Sequence, residues 1–298
     1  MSTVAFIGLG QMGRLMSENL MKGGFSVKTF DLNHSGNCKS AREAAAGAEF
    51  LITMLPDGKA VRKAVRAALP GLRKGVIVVD MSSSDPTVTR QLGAELLKKN
   101  IHLIDAPVSG SKAGARDASL AIMAGGDGEQ LRKVRPVLSA MGKRIFHVGP
   151  LGAGHAMKAL NNYIGASGTI AAFEALLVGR AFGLNPRLMT EVFNASTGYN
   201  STTQRKIPQQ VLTKAFASGF SAALMTKDVG IAAALARAVS TPAPYLRKTL
   251  AVWREALRRL PLGADHTEMY RYLEQLTIPS RGAASRRLHS RPPQRRSS

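Results

Sequence analysis

The sequence has one cysteine, no uninterrupted apolar run long enough to cross a membrane, and few acidic residues. Cys38 has no partner for an internal disulfide, which excludes the small secreted proteins that depend on a disulfide framework. A membrane span needs about 20 consecutive apolar residues. The N-terminal stretch MSTVAFIGLG lacks the basic flank and cleavage site of a targeting signal. We therefore expect a cytoplasmic protein without a membrane span.

The shortage of acids leaves a strongly basic chain, with 41 Lys and Arg against 19 Asp and Glu and a formal net charge of +22. Part of the excess lies in residues 279–298, which contain six arginines and no acid. A basic surface attracts anions from small carboxylates to nucleic acids, so charge alone does not identify the partner. The low apolar content of this tail predicts disorder. We expect any nucleic-acid binding to involve the tail alone.

The 298 residues exceed one ordinary domain, which favours two. The first half alternates short aliphatic runs with helical patterns and predicts a parallel, doubly wound sheet of the Rossmann type. After about residue 150 only helical patterns follow, beginning with a long one over 153–182. We therefore predict an α/β sheet domain over 1–150, an all-α domain for substrate binding and dimerisation over 151–278, and the tail. The predicted strands are 3–8, 26–31, 49–55, 75–81, 101–107, 120–126 and 143–149, and the helices that follow 153–182 are 186–195, 203–214, 221–239, 243–259 and 265–276.

Three glycines follow the first predicted strand in the segment FIGLGQMG. Gly8, Gly10 and Gly13 have the G-x-G-x-x-G spacing of dinucleotide-binding turns. The first glycine permits a tight turn, the second lets a pyrophosphate approach the backbone, and the third packs the helix against the strand. The N–H groups at the start of that helix attract phosphate. The residues expected to contact the cofactor here are Gly8, Leu9, Gly10, Gln11, Met12 and Gly13.

The second predicted strand ends in an acid, Asp31, eighteen residues beyond Gly13. An acid at about this separation binds the ribose hydroxyls of NAD. Its charge would repel the 2′-phosphate of NADP, so we predict NAD as the cofactor. The nearby Lys28, Lys39 and Arg42 keep NADP as the alternative.

Polar loops follow three further strands in the segments TMLPDG, DMSSSDP and DAPVSGSKAG. Ligands bind outside the carboxyl ends of the strands in such sheets. The first two loops could contact the cofactor or could be ordinary turns, with a serine capping the next helix. The third could bind a carboxylate or could be a plain polar loop. The candidate residues are Leu55, Pro56, Ser83, Ser109, Gly110 and Ser111.

The segment GPLGAGHAMKALNN opens the long helix. Lys158 and Asn162 are four residues apart and therefore share one helix face. A lysine whose pKa is lowered by burial or by a neighbouring cation can exchange a proton with a hydroxyl, although most lysines extend to solvent. We expect the bare backbone N–H groups near Gly152–Gly154 to help bind a substrate carboxylate.

Together with LMTKDVG over 224–230, these segments resemble the β-hydroxyacid dehydrogenase family, which includes 3-hydroxyisobutyrate dehydrogenase and the tartronate semialdehyde and glyoxylate reductases. The likeness extends from Val4 to about Leu276, and its four motifs occur in the family's order. It implies a 6-phosphogluconate dehydrogenase-like fold and a homodimer or homotetramer. The implied reaction is hydride transfer between NAD(H) and a small, carboxylate-bearing 3-hydroxy acid.

The resemblance also implies roles for the matching residues. Lys158 is similar to the family's catalytic lysine, acting as general acid and base, with Asn162 as its companion. Ser109 and Gly110 match the loop that binds the substrate carboxylate, whereas many members have glycine in place of Ser111. The positions that resemble cofactor contacts are Leu55, Pro56, Ser83 and Lys227. No metal is expected, since no His, Cys and acid cluster has ligand spacing.

Two alternatives stay open from the sequence. One is an NADPH-dependent aldehyde-acid reductase of the glyoxylate or succinic semialdehyde type. The other is a protein that binds a dinucleotide or nucleic acid without turnover, which the intact pair of Lys158 and Asn162 disfavours. The segment STGYNSTTQRK over 196–206 lies where family members vary with substrate, so the sequence does not identify the acid.

Overall fold

The structure is a computed structural model that describes residues 2–277. An eight-stranded sheet flanked by helices is followed by a wholly helical region, which confirms the predicted fold class. The predicted disordered tail at 279–298 lies outside the described residues. The strands are β1 Thr3–Ile7, β2 Ser26–Phe30, β3 Phe50–Thr53, β4 Ile77–Asp80, β5 His102–Asp105, β6 Val108–Ser109, β7 Ala121–Gly125 and β8 Arg144–Gly149.

The helices of the first half alternate with the strands, as a doubly wound sheet requires. They are α1 Gly13–Lys22, α2 Ala41–Ala45, α3 Gly58–Ala68, α4 Pro86–Leu97, α5 Ser111–Arg116 and α6 Gly128–Ser139. The helical region contains α7 Ala153–Phe182, α8 Pro186–Ala195, α9 Ala222–Ala238, α10 Pro244–Arg259 and α11 Met269–Thr277. The pattern over 203–214 predicts an ordinary helix, but the structure has a π-helix there, Thr202–Val211.

The strand order is β2-β1-β3-β4-β5-β7-β6, with β8 beside β7. The first five strands are parallel, as predicted, whereas β7 runs antiparallel to β5 and the unpredicted β6 is antiparallel to β7. The chain winds from β1 to β2 on one side and then returns to β3 on the other. This reversal opens a crevice at the carboxyl ends of β1 and β3, which is where ligands bind in such sheets.

Apolar side chains fill three cores. Phe6 and Met16 lie in the core on one face of the sheet, and Leu51 and Val65 lie in the core on the other. Such burial on both faces explains why the central strands are continuous aliphatic runs. A separate core in the helical region surrounds the fully buried Trp253.

The long helix α7 connects the sheet to the helical region. Its first turn lies directly on β7, where a Cβ on Gly154 would be 2.2 Å from the carbonyl oxygen of Met123. Further along, Ala166 and Phe173 are buried in the helical core. By length and composition alone α7 could cross a membrane. Here it packs against β7 and the helices α9, α10 and α11.

Candidate active site

One cavity of about 1000 Å³ lies between the carboxyl edge of the sheet and the helical region. Most of the site residues predicted from the sequence line this cavity; the exceptions are the buried Gly8 and Leu9 and the segment Gly152–Gly154. The residues brought together are Gly10, Gln11, Met12, Gly13, Asp31, Leu55, Pro56, Ser83, Ser109, Gly110, Ser111, Lys158, Asn162 and Lys227. Elements far apart in the sequence therefore form one site.

The glycine turn between β1 and α1 has two packing glycines and one open glycine. Gly8 has a φ of +106°, and a Cβ there would lie 2.3 Å from the carbonyl oxygen of Met54. A Cβ on Gly13 would lie 1.9 Å from the carbonyl oxygen of Gly8. No atom lies within 4 Å of a Cβ built on Gly10. Gly10 thus leaves the turn's surface free for a ligand at the start of α1.

Asp31 is held in place at the end of β2. Its Oδ2 accepts a hydrogen bond from the Leu9 N–H at 2.7 Å, and its Oδ1 accepts one from the Asn33 N–H at 2.7 Å and contacts His34 Nδ1 at 3.0 Å. Burial tends to raise the pKa of this carboxyl, but these hydrogen bonds and His34 outweigh it and lower the pKa. The side chain is therefore a fixed anion beside the glycine turn.

Asp80, at the end of β4, organises the loops after β3 and β4. Its carboxylate is buried and accepts hydrogen bonds from the hydroxyls of Thr53 and Ser84 at 3.0 and 2.8 Å. It also accepts the N–H of Ser82, whose Oγ in turn accepts the Leu55 N–H at 2.9 Å. Both loops are therefore fixed where they face the cavity.

Lys227, on α9, joins the helical region to those loops. Its Nζ donates hydrogen bonds to the carbonyl oxygens of Pro56 at 2.9 Å and Ser83 at 2.7 Å. It also forms an ion pair with Asp228 at 3.3 Å. This ammonium therefore lies at the boundary between the sheet edge and the helices, facing the cavity.

The N–H groups at the start of α7 bind a carboxyl group of the protein itself, that of Asp105, rather than facing the cavity. One oxygen of this carboxylate accepts the Gly152 N–H at 2.7 Å and the other accepts the His155 N–H at 2.7 Å. Gly154 faces β7 rather than the cavity. The expectation that N–H groups near Gly152–Gly154 bind substrate is wrong, because Asp105 satisfies this helix end. Burial raises the pKa of Asp105, while His155 and the two N–H groups oppose the rise.

Lys158 lies one turn into α7, with its side chain facing the cavity. Within residues 2–277 its amine has neither a hydrogen-bond acceptor nor an ion pair. Burial lowers the pKa of Lys158; Asp228 opposes this shift and Lys227 adds to it. Asn162 Nδ2 donates to Asp228 Oδ2 at 2.6 Å, which fixes the amide one turn beyond the lysine. The arrangement provides an available amine beside an oriented amide.

The loop after β6 has unusual backbone angles. Gly110 has a φ of +146°, and Ser111 has a φ of +60°, a conformation in which serine is uncommon. A glycine would adopt this positive φ with less strain than Ser111 does. Ser109, Gly110 and Ser111 together present hydroxyls and backbone groups to the cavity.

Several cavity residues have no signal in the sequence that identifies them singly. Asp228 follows Lys227 in LMTKDVG and has the pattern of a solvated turn, yet its side chain is buried. Arg205 and Lys206 belong to the segment 196–206, where the sequence indicates only variation with substrate. Their approach to α7 depends on how the helical region packs.

Two family models match the chain. A model described as the NAD binding domain of 6-phosphogluconate dehydrogenase matches residues 3–149. A second, described as NAD-binding of NADP-dependent 3-hydroxyisobutyrate dehydrogenase, matches residues 152–273. Between them they cover the sheet and nearly all of the described helical region.

Named relatives match over most of the chain. The NAD-dependent L-serine dehydrogenase of Pseudomonas aeruginosa is 35% identical over 87% of this chain and 93% of its own length. The 2-(hydroxymethyl)glutarate dehydrogenase of Eubacterium barkeri is 33% identical over 92% of this chain and 95% of its own length. The solved structure of Mycobacterium tuberculosis 3-hydroxyisobutyrate dehydrogenase with L-serine is 34% identical and has a TM-score of 0.84, covering 92% of this chain and 99% of that one.

Proposed function

The chain belongs to the β-hydroxyacid dehydrogenase family and is an NAD(P)-dependent 3-hydroxyacid oxidoreductase, and on this premise we propose that Lys158 exchanges the proton of the substrate hydroxyl. The observation that carries the proposal is the free amine of Lys158 in the cavity, beside an amide that Asp228 holds in place. We further propose the residue ranges 1–150 and 151–278 as the cofactor-binding and substrate-binding domains.

In the oxidation direction, the neutral amine of Lys158 accepts the hydroxyl proton, and NAD⁺ bound beside the glycine turn would supply the hydride acceptor. In the reduction direction, the ammonium returns a proton to the carbonyl oxygen. Asn162 orients the reacting oxygen, since its own amide is fixed by Asp228. The lowered pKa of Lys158 favours the neutral amine at a lower pH than for a free lysine.

The substrate carboxylate binds, in this proposal, to the loop of Ser109, Gly110 and Ser111. The backbone at Gly110 has no side chain to cover it, and both serine hydroxyls can donate. The other supporting observation is that Asp105 already satisfies the N–H groups at the start of α7. This favours the loop over the start of α7 as the site for the carboxylate.

NAD is the proposed cofactor in preference to NADP, because Asp31 is a fixed anion beside the glycine turn. The substitution Asp31→Asn keeps a hydrogen-bond acceptor for the Leu9 N–H but removes the charge. We expect the ratio of kcat/KM for NAD⁺ over NADP⁺ to fall roughly 10- to 100-fold, since hydrogen bonds to charged groups contribute about 1.5–3 kcal/mol. Steady-state kinetics with each cofactor measures the ratio.

Glu18→Gln is the matched control, because it removes a half-exposed carboxylate from the same part of the chain. It should leave the cofactor ratio as in the wild type. An unchanged ratio in Asp31→Asn would refute the role proposed for this acid.

The pH dependence should follow the protonation of Lys158. Oxidation requires the neutral amine, so kcat/KM for oxidation should rise with pH and level off above the lowered pKa. Reduction requires the ammonium, so kcat/KM for reduction should fall as the pH rises over the same range. We expect an inflection below the usual lysine value of 10.5, measured from initial rates in both directions, with the inflection lost in Lys158→Met. An inflection retained in that variant would assign the titration to another group.

The test of the reaction itself is NADH formation with a panel of 3-hydroxy acids, and NADH consumption with short aldehyde acids. A higher kcat/KM for the aldehyde acids than for the hydroxy acids, with NADPH preferred over NADH, would favour the aldehyde-acid reductase. No turnover in either direction would favour a protein that binds a dinucleotide without catalysis.

A cytoplasmic homo-oligomer is the proposed assembly. The helix α7 exposes the large apolar side chains of Val178 and Phe182, the latter 83% exposed. Exposed large apolar side chains are typical of protein interfaces when they form a patch. A second copy of the chain would cover it, and the molar mass from light scattering would distinguish a dimer or tetramer from a monomer.

A further inference from the structure

The cavity continues past the proposed reaction site along α7. Gly165 and Gly168 line this extension, and a Cβ built on Gly165 would meet no atom within 4 Å. A Cβ on Gly168 would meet only the side chain of Asn200, at 3.8 Å or more. From Asn162 to Thr169 the helix makes two turns, an axial rise of about 10 Å. The extension is therefore long enough for several atoms of a substrate chain.

Two cations lie at the far end of this extension. Lys206 Nζ donates a hydrogen bond to Thr169 Oγ1 at 2.7 Å, and the more exposed Arg205 precedes it. Among the described residues neither cation forms an ion pair. The nearby carboxylate of Asp265 already accepts hydrogen bonds from the Ser218 hydroxyl at 2.8 Å and from backbone N–H groups. Two cations and one carboxylate therefore lie at this end of the cavity, and no carboxylate of the described residues is within ion-pair distance of either cation.

The π-helix Thr202–Val211 positions these two cations. Thr202 and Ile207 are buried in the helical region, while Ser201, Arg205 and Lys206 line the cavity. The i→i+5 bonding of a π-helix places residues four or five apart on one side. Arg205 and Lys206 are four and five residues after Ser201, so both cations face the cavity as Ser201 does. Such helices are rare and occur frequently at functional sites.

The charge of Lys206 persists at neutral pH. Burial lowers its pKa to about 8, Arg205 adds to this, and Asp265 opposes it. Burial together with Lys206 lowers the pKa of His266 to about 4, so this cavity histidine is neutral when Lys206 is charged. A partly desolvated cation that no carboxylate contacts is unfavourable, and an anionic ligand in contact with it would relieve that cost.

We propose that Lys206 and Arg205 bind a second carboxylate of the substrate, so that the preferred substrates are 3-hydroxy acids with another carboxylate several bonds from the carbinol. The first carboxylate stays with the loop of Ser109. This inference rests on the proposed function and specifies its substrate class. It assigns Lys206 as a specificity-determining residue for the side chain of the substrate.

The experiment compares a 3-hydroxy acid whose C2 substituent ends in a carboxylate with the matching primary amide, which has the same shape without the second charge. We expect the wild type to have a higher kcat/KM for the diacid. In Lys206→Met the ratio of kcat/KM for diacid over amide should fall roughly 10- to 100-fold, mainly through KM. Lys206→Arg should restore most of the ratio because it keeps the charge.

Lys248→Met is the matched control, since Lys248 is exposed on α10 and is not among the residues that line the cavity. It should leave the ratio unchanged. Lys206→Gln serves as a second neutral variant that retains a donor for Thr169. A wild-type ratio near one, or a ratio that neither neutral variant changes, would overturn the inference.

Calorimetric binding to the NADH-loaded protein separates this inference from the proposed function. Tighter binding of the diacid than of the amide, lost in Lys206→Met, would support the second carboxylate site even if no turnover occurs. Turnover of hydroxy acids with equal binding of diacid and amide would overturn the site and leave the proposed reaction standing.

Discussion

The substitution Lys158→Ala is expected to lower kcat by about 10³-fold, within the range of 10²–10⁴ that a positioned acid–base group contributes. The alanine leaves no group to accept the hydroxyl proton, because the neighbouring Asn162 does not titrate and Lys227 is engaged with the carbonyl oxygens of Pro56 and Ser83. Initial rates of NADH formation at saturating hydroxy acid measure the loss.

Two controls separate the chemical role of Lys158 from a structural one. NADH binding, measured by its fluorescence, should be retained in Lys158→Ala, because the proposed cofactor contacts lie elsewhere. Small primary amines added to the variant should restore part of the rate by replacing the missing base. A kcat within threefold of the wild type, or a lost rate accompanied by lost NADH binding and no rescue by amines, would contradict the acid–base role.

The substitution Asp105→Ala is expected to lower the free energy of unfolding by about 3–5 kcal/mol. It leaves the N–H groups of Gly152 and His155 buried without acceptors at the start of α7. It also removes a carboxylate that contacts the buried His155 at 3.7 Å. Urea unfolding followed by circular dichroism measures the loss.

Asp117→Ala is the control for Asp105, since Asp117 is an exposed acid at the end of α5 and should change stability by less than about 0.5 kcal/mol. The free energy of unfolding of Asp105→Asn should lie between those of Asp105→Ala and Asp117→Ala, because the amide oxygen can still accept one N–H. A folded Asp105→Ala within about 1 kcal/mol of the wild type would show that this carboxylate does not hold α7 against the sheet.

The sequence predicts those parts of the site that depend on residues close together in the chain. The glycines of the first turn pack against each other and against the end of the neighbouring strand β3. Their spacing in the sequence is therefore enough to locate the turn, which lies beside Asp31. The pair Lys158 and Asn162 depends only on helix periodicity. The strand ends also follow from local patterns, because aliphatic runs that are buried on both faces stop where polar loops begin.

Other features depend on contacts across the fold and are not visible in the sequence. Asp105 accepts the N–H of Gly152, 47 residues later at the start of α7, and nothing near Asp105 in the chain shows that partner. The antiparallel pairing of β7 with β5 is set by tertiary packing rather than by the period of the strand. The π-helix has the apolar pattern of an ordinary helix, so the approach of Lys206 to Thr169 depends on the packed structure.

The most direct measurement of the central claim is the structure of the ternary complex with NAD⁺ and an unreactive analogue of a 3-hydroxy acid. The account predicts Lys158 Nζ within about 2.6–3.2 Å of the oxygen that replaces the hydroxyl, with the nicotinamide ring on the opposite face of the reacting carbon. A lysine amine turned away from that oxygen, with another titratable group in contact with it, would contradict the account.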